Sequence, residues 1–466
     1  MSKKVYTSLI WSSIDKFSVV IIQLILDIIL ARILSPSEFG IIAILMVFVT
    51  FSQLIIDSGL SNSLIHFKDR NSDVDYSSIF TLNIIVGIIL YLVICLSADF
   101  ISNFYDLDLN MYIRIFCISI LFNSISIIYK TKLSIDINFK VQAKFSLFSI
   151  LLASIISIYL AINNYGVWAL ISLYLSQTFF NMLFLILNSK WVPKLILNRE
   201  SILRNFNYGY KLMIAAVLNS FFVNFYTLFI GRFYNANTLG TYSKAYQLSL
   251  FPASVFTISI QRVLFPNLVS LKNDFETLAI KINQIQKLLI FVLTPVVLII
   301  YINSEQLIVL LLSNKWIDTV KYFQLLLPVV LLYPLINIGM TVFQIIGKTD
   351  TFLKVEFITK ILGLIILFLT FKDVKTICIG ISILFLLQFI IVDFVSKRSL
   401  KTNDFSTIKF LIINILLVFI LIYILEFFTL NNFIQSIIVL VVYVLVNLNV
   451  FDSIEIIKKI TNKKTK

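Results

Sequence analysis

Charge is scarce in this sequence. Only 13% of its 466 residues are Asp, Glu, Lys or Arg, against about a quarter in a soluble domain. An ordinary soluble globule is excluded on that ground. Histidine occurs once, as His66, in a polar stretch between apolar runs. One histidine leaves no His/Glu zinc motif and no histidine-based catalytic constellation. Cys95, Cys117 and Cys378 each lie alone in an apolar run. Neither a disulfide framework nor metal-ligand spacing follows from them. Gly347-Lys348-Thr349 has the ending of a phosphate-binding loop, but Val342 stands where the first glycine of that loop belongs. ATP hydrolysis, dinucleotide binding, metals and other cofactors are therefore not expected.

Apolar residues are abundant, at 59%. They recur in runs of about 20, each long enough for a hydrocarbon core of roughly 30 Å. The runs do not alternate apolar with polar residues, as a transmembrane β-barrel would. The expected fold class is an all-α polytopic membrane protein. Fourteen spans are expected, at 9–34, 40–65, 78–98, 109–130, 145–162, 166–188, 211–233, 239–262, 288–303, 321–345, 353–371, 376–395, 408–425 and 432–451. The ninth and eleventh are short, and the ninth is unusually polar. Met1–Lys4 is basic, but the apolar stretch after it is too long and too charged for a cleavable signal, so it is expected to stay as a membrane helix.

The net charge of +14 reads as topology rather than as affinity for nucleic acid. With the N-terminus in the cytosol, most of the 38 Lys and Arg fall in cytosolic loops. The outer loops hold only Arg32, Arg232, Lys315, Lys321, Lys372 and Lys375. This asymmetry predicts an even number of spans with both termini cytosolic. Outer loops are short, and the stretch around Asn303–Thr319 is itself largely apolar. The longest cytosolic link, Ser189–Tyr210, is basic and amphipathic and suits the surface of an anionic leaflet.

An internal repeat is visible. Leu30–Gly40 ends one apolar run, turns at Ser35-Pro36 and opens the next; Ile230–Gly240 does the same in the same register. Arg32 matches Arg232, and Gly40 matches Gly240. The chain is therefore expected to hold two related six-helix lobes, 1–200 and 201–400, followed by helices 13 and 14 and a basic tail in 401–466.

Ionisable residues at membrane depth are costly and mark function by default. Lys16, Gln23 and Asp27 in the first span lie within about 40° of one another on a helix. They form one polar stripe, either the wall of a wet cavity or a polar lock between helices. Lys244 and Arg262 share a face of the eighth span, near its ends, where long side chains can reach the interface. Pro252 between them is expected to kink that helix. Lys211 opens the seventh span. Asp57 closes the second and is a candidate to pair with a cation of its own half. Arg114 is expected to reach the outer interface, and Glu356 and Lys360 to form an i,i+4 ion pair. Lys16, Gln23, Asp27, Lys211, Lys244 and Arg262 are the cavity candidates; Asp57, Arg32, Arg232 and Pro252 are the gating or structural candidates.

Several of these stretches carry a resemblance. Leu30–Phe39, Phe51-Ser52-Gln53-Leu54, Asp57-Ser58-Gly59-Leu60, Tyr76–Phe80, Ile230-Gly231-Arg232, Leu239–Tyr246, Arg262–Pro266 and Gly347–Asp350 together resemble bacterial polysaccharide (Wzx-type) flippases. These belong to the multidrug/oligosaccharidyl-lipid/polysaccharide exporter superfamily, and the resemblance points to its colanic-acid and teichuronic-acid exporter branch. It runs from about Trp11 to about Phe394. It implies two six-helix lobes around a central cavity with two added helices. The activity it implies is movement of an undecaprenyl-diphosphate-linked oligosaccharide from the inner to the outer leaflet of the bacterial plasma membrane by alternating access. The partners it implies are that lipid-linked oligosaccharide, membrane lipids, and a polysaccharide polymerase with its assembly proteins. Family members often carry an acidic residue in helix 7 before the Ile-Gly-Arg turn, where this chain has Tyr226. The alternatives are a multidrug or organic-cation extruder of the same fold, which would need a carboxylate-lined site, and a glycan polymerase or ligase, which would need a sizeable outer loop.

Overall fold

The computed structural model of the chain describes residues 19, 21–402, 404–426 and 431–450. Among these there are helices and no strands. Helix α1 covers 21–33. It is followed by α2 (Pro36–Asp57), α3 (Leu60–His66), α4 (Asp73–Leu96), α5 (Ala98–Tyr105), α6 (Asn110–Phe116), α7 (Ile118–Ile135), α8 (Phe139–Ile162), α9 (Val167–Asn188) and α10 (Arg199–Phe233). Then come α11 (Ala236–Val269), α12 (Phe275–Ile302), α13 (Ser304–Leu312), α14 (Thr319–Leu326), α15 (Pro328–Ile345), α16 (Thr349–Thr370), α17 (Val374–Ser399), α18 (Ser406–Glu426) and α19 (Asn432–Val450). Nine helical stretches among the described residues are long and apolar enough to cross a membrane. The chain is a multi-pass membrane protein.

Local chemistry sets the helix starts. Pro36 fills the first position of α2, where its missing N–H costs nothing. The Ser35 N–H, left orphaned by the turn, donates to the Glu38 carboxylate at 2.5 Å. Ser72 and Asp75 repeat the device at α4, at 2.7 Å. The Thr376 N–H donates to Asp373 at the start of α17, at 2.9 Å. Such caps satisfy donors that the hydrocarbon cannot.

The order of elements repeats. The series α1, α2, α4, α5, α6, α7, α8, α9 is answered by α10, α11, α12, α13, α14, α15, α16, α17. In both series a short helix follows the third long one, and a break interrupts the fourth, at Cys117 and at Leu327.

Chain contacts divide the described residues into two units. One takes those of Met1–Ser243 with Leu311–Lys315; the other takes those of Lys244–Leu310 with Trp316–Lys466. In the first, Leu60, Leu64, Ile79, Phe80, Ile128 and Leu185 form a buried core under Trp191. In the second, Leu289, Leu293, Leu335, Phe343, Phe389 and Val392 form the core of α12, α15 and α17. Leu298, Leu421, Val439 and Tyr443 join α18 and α19 to α12.

Two helices start several turns earlier than the sequence suggests. α12 begins at Phe275 rather than near 288 and is 28 residues long, so the ninth span is not short. Its polar turns find partners: Asn283 is buried and donates to Asp404 at 2.5 Å. The 35 residues of α10 reach about 50 Å at 1.5 Å per residue. The second half of the expected link, Arg199–Tyr210, is thus the first turns of α10. The Asn198 side chain caps it by accepting the Ser201 N–H at 2.9 Å.

Candidate translocation-path residues and the ties around them

The polar stripe of the first span is only partly in view. Lys16 lies outside the described residues. Gln23 is exposed and Asp27, one turn on, is half-buried. Leu26, Leu30 and Ala31 bury the remaining side of α1. On α10, Lys211 is exposed, with Nζ 5.9 Å from the Tyr210 ring centroid. Asn224, two residues before Tyr226, donates to the Ser220 carbonyl at 2.9 Å. These residues belong to the first unit.

Lys244 belongs to the second. It is only 3% exposed, with Nζ 5.7 Å from the Trp316 ring centroid. It is therefore buried against an indole face rather than reaching toward an interface. α11 runs through Pro252 as continuous helix. The Arg262 side chain lies outside the described residues.

Among the described residues no cation pairs with Asp57 as expected. It accepts the N–H and hydroxyl of Ser61. The reason is the backbone: Ser58 and Gly59 adopt left-handed φ of 45° and 66°. This turns α3 so that Ser61 sits over the carboxylate. Arg114 lies 3.6 Å from Asp99, both exposed, and Lys360 lies 3.8 Å from Glu356.

Arg32 and Arg232 close corresponding turns, and their partners correspond as well. Arg32 Nε donates to the carbonyl of Leu311, at the end of α13, at 3.0 Å. Lys315 returns the tie by donating to the Ile33 carbonyl at 2.8 Å. Arg232 meets Asp106, which caps α5, at 2.6 Å, and lies 5.2 Å from the Phe104 ring centroid. Each arginine of one series thus holds the end of the short helix of the other series, where helix dipoles favour cations. Between these ties the chain crosses itself. A Cβ on Gly40 would overlap the Ala236 carbonyl, and a Cβ on Gly240 would overlap the Pro36 carbonyl.

A second close crossing anchors α10 at its other end. A Cβ on Gly59 would lie 2.6 Å from the Gly209 carbonyl oxygen. Nearby, Asp75 is 6% exposed and accepts from Ser201 Oγ and from Arg204, each at 2.5 Å. Lys132 Nζ sits 4.4 Å from both the Tyr76 and Trp191 ring centroids, and 3.7 Å from Asp73. The extended stretch around Trp191 is held by that aromatic cage.

Sequence reasoning missed a buried ion pair of the second unit. Lys397, expected in a solvated loop, is 4% exposed and meets Asp393, 1% exposed, at 2.8 Å. It also donates to Thr407 at 3.2 Å. Thr407 donates to Asn283 at 3.1 Å, and Asn283 leads to the exposed Asp404. Burial alone would raise the Asp404 carboxyl. Donation from the Ser406 N–H and hydroxyl, with the charges of Lys397 and Lys287, holds it below its ordinary value instead. The available signal was an aspartate inside an apolar run with a lysine one turn later.

No group of His, Cys, Asp or Glu suited to a metal ion occurs among the described residues.

Comparisons place this architecture. The chain is 25% identical over 359 residues to the teichuronic acid biosynthesis protein TuaB of Bacillus subtilis (strain 168), covering 75% of this chain and 73% of that protein. It is 22% identical over 325 residues to the lipopolysaccharide biosynthesis protein WzxC of Escherichia coli (strain K12), covering 69% and 66%. A solved structure of the lipid II flippase MurJ in an inward closed conformation shares the fold, with a TM-score of 0.73 at 17% identity over 96% of this chain and all of that one. An inward-facing multidrug resistance MATE family transporter of the MOP superfamily follows, with a TM-score of 0.63 at 14% identity over 84% of this chain and 98% of that one. The family model described as polysaccharide biosynthesis protein matches residues 29–321, and the chain belongs to that family.

Proposed function

We propose that this protein is a transporter that flips an undecaprenyl-diphosphate-linked oligosaccharide from the cytosolic to the outer leaflet of a bacterial plasma membrane. The observation that carries this reading is one combination. A polysaccharide biosynthesis family sequence is folded like a lipid-linked precursor flippase along nearly its whole length. The cargo has an anionic diphosphate, a hydrophilic glycan and a polyprenyl tail. Cations at membrane depth, with Lys16, Lys211, Lys244 and Arg262 as candidates, replace the water around the diphosphate. The glycan meets polar side chains such as Gln23 and Asp27, while the tail stays in lipid. Fourteen crossings with both termini cytosolic fit the distribution of Lys and Arg. Two repeated six-helix lobes, 1–200 and 201–400, would rock to give alternating access. A negative-inside potential favours outward movement of an anion by about 2.3 kcal/mol per charge per 100 mV.

The test is a reconstituted flipping assay. Fluorescent undecaprenyl-diphosphate oligosaccharide in liposomes is followed for leaflet exposure with wild type, Lys16→Ala and Lys244→Ala. Wild type is expected to flip the lipid and the variants to lose at least tenfold in rate while folded, as about 1.4 kcal/mol per lost contact implies. Export of organic cations without any lipid movement would replace this reading with an extruder. Wild-type rates in both variants would remove these lysines from the site.

A further inference from the structure

Asp393 has two carboxylate oxygens in unlike situations. Oδ2 accepts from Lys397 at 2.8 Å. Oδ1 is buried and has no hydrogen-bond partner. Gln286 of α12 faces this carboxylate and is fully buried. Its amide lies within reach of the carboxylate but makes no well-formed hydrogen bond with either its nitrogen or its oxygen in this orientation. Bare buried oxygen beside bare buried amide is unfavourable on both sides. Gln286 can end the conflict in either of two ways: Nε2 donates to Oδ1 of the ionised carboxylate, or Oε1 accepts from a proton carried on Oδ1.

We propose that Asp393 is a proton-binding site with Gln286 as its switch. A proton taken from water adds to Oδ1, and the new O–H donates to Gln286 Oε1. When the proton leaves, the Gln286 amide turns and Nε2 donates to the bare oxygen. Lys397 stays an ammonium throughout, held by Oδ2 and by Thr407. Each cycle therefore binds and releases one proton and one positive charge. Among the described residues the other nearby charges are engaged elsewhere. Lys397 on the same helix already faces Oδ2. Asp404 is at the exposed end of the chain of bonds through Thr407 and Asn283. From α12, Lys287 acts on Asp404. From α15 the neighbour is Gly339, whose Cβ would overlap Val392 and approach Gln286, and α15 carries no charged residue. On α16, Glu356 and Lys360 close on each other. On α18 the neighbour is Thr407. Resting on the transporter reading, this site offers the cycle a proton to couple to in the second unit, while the seventh span, which belongs to the first unit, has Tyr226 where related sequences often carry a carboxylate.

The test is infrared difference spectroscopy of the full chain in nanodiscs, stepped between acid and alkaline pH, with carbon-13-labelled aspartate. Wild type is expected to show the C=O stretch of a protonated Asp, lost in Asp393→Asn and shifted in Gln286→Met. Flipping of fluorescent undecaprenyl-diphosphate oligosaccharide by wild type is expected to respond to an imposed pH gradient, and by Asp393→Asn not to. The same aspartate band in wild type and Asp393→Asn overturns the proposal and leaves the flippase standing. So does the absence of any titrating aspartate band in wild type, a result that needs no variant to fold. A band lost in Asp393→Asn with no lipid flipped under any gradient keeps the proton site and removes the flippase.

Discussion

At the scale of single residues, one carboxylate ties distant parts of the first unit. Asp75 holds the Ser72 N–H, the Ser201 hydroxyl and Arg204 at once. Asp75→Ala leaves those donors without an acceptor, and Ser201 is itself buried. The expected loss is about 1–3 kcal/mol, read as a lower Tm for the detergent-solubilised protein. Asp75→Asn is expected to lose less, since it keeps an acceptor for one donor. Asp404 makes a pH-dependent contribution. Its folded-state carboxyl titrates below the ordinary value, so its stabilisation is complete above the unfolded value of about 3.9. It is lost as pH falls through the folded value. Thermal unfolding from pH 6 downward should lose this part of its slope in Asp404→Asn; an unchanged slope would refute the assignment.

Among the elements, α10 is the unusual one. It is pinned near one end by Asp75 and the Gly59–Gly209 crossing, and near the other by Arg232 on Asp106. Between these, Leu212, Ile214, Leu218, Phe221 and Val223 are exposed within the protein. The glycine crossings give a prediction of their own. A methyl group at Gly40 or Gly240 meets backbone, which cannot rotate away as a side chain would. Gly40→Ala and Gly240→Ala should each cost about 1–3 kcal/mol or more, whereas Gly347→Ala, with nothing near its Cβ position, bears only the strain of its positive φ. Chemical unfolding in detergent ranks the three, and equal costs at Gly40 and at an open exposed position would sink the crossing argument. The Arg232–Asp106 pair is exposed and should contribute only about 0–1 kcal/mol.

For the molecule as a whole, the sequence was legible where hydrocarbon dictates the pattern. Runs of apolar residues located the long helices, and Ser35-Pro36 and Arg32/Arg232 located the repeated turns. What stayed hidden depends on tertiary partners or on elements too short to span. α5 and α13 are only 8 and 9 residues long, below the length that marks a crossing. The polar start of α12 looked like loop because Asp404 and Thr407, which satisfy Asn283, lie far along the chain. Lys397 looked solvated because it stands among Arg398 and Lys401, and only burial beside Asp393 distinguishes it. Of the candidate stripe of α1, Gln23 and Asp27 lie among the described residues and Lys16 does not.

The crossing of Gly40 with Gly240 also has a symmetry of its own. Gly40 meets the carbonyl of Ala236, and Gly240 meets that of Pro36. The same position touches its own counterpart, and the trade is reciprocal. That is the signature of an isologous interface, in which residue i of one copy meets j of the other and j meets i. A side chain added at either glycine strikes the backbone of the other segment, so the contact opens from both sides when only one of the two is replaced.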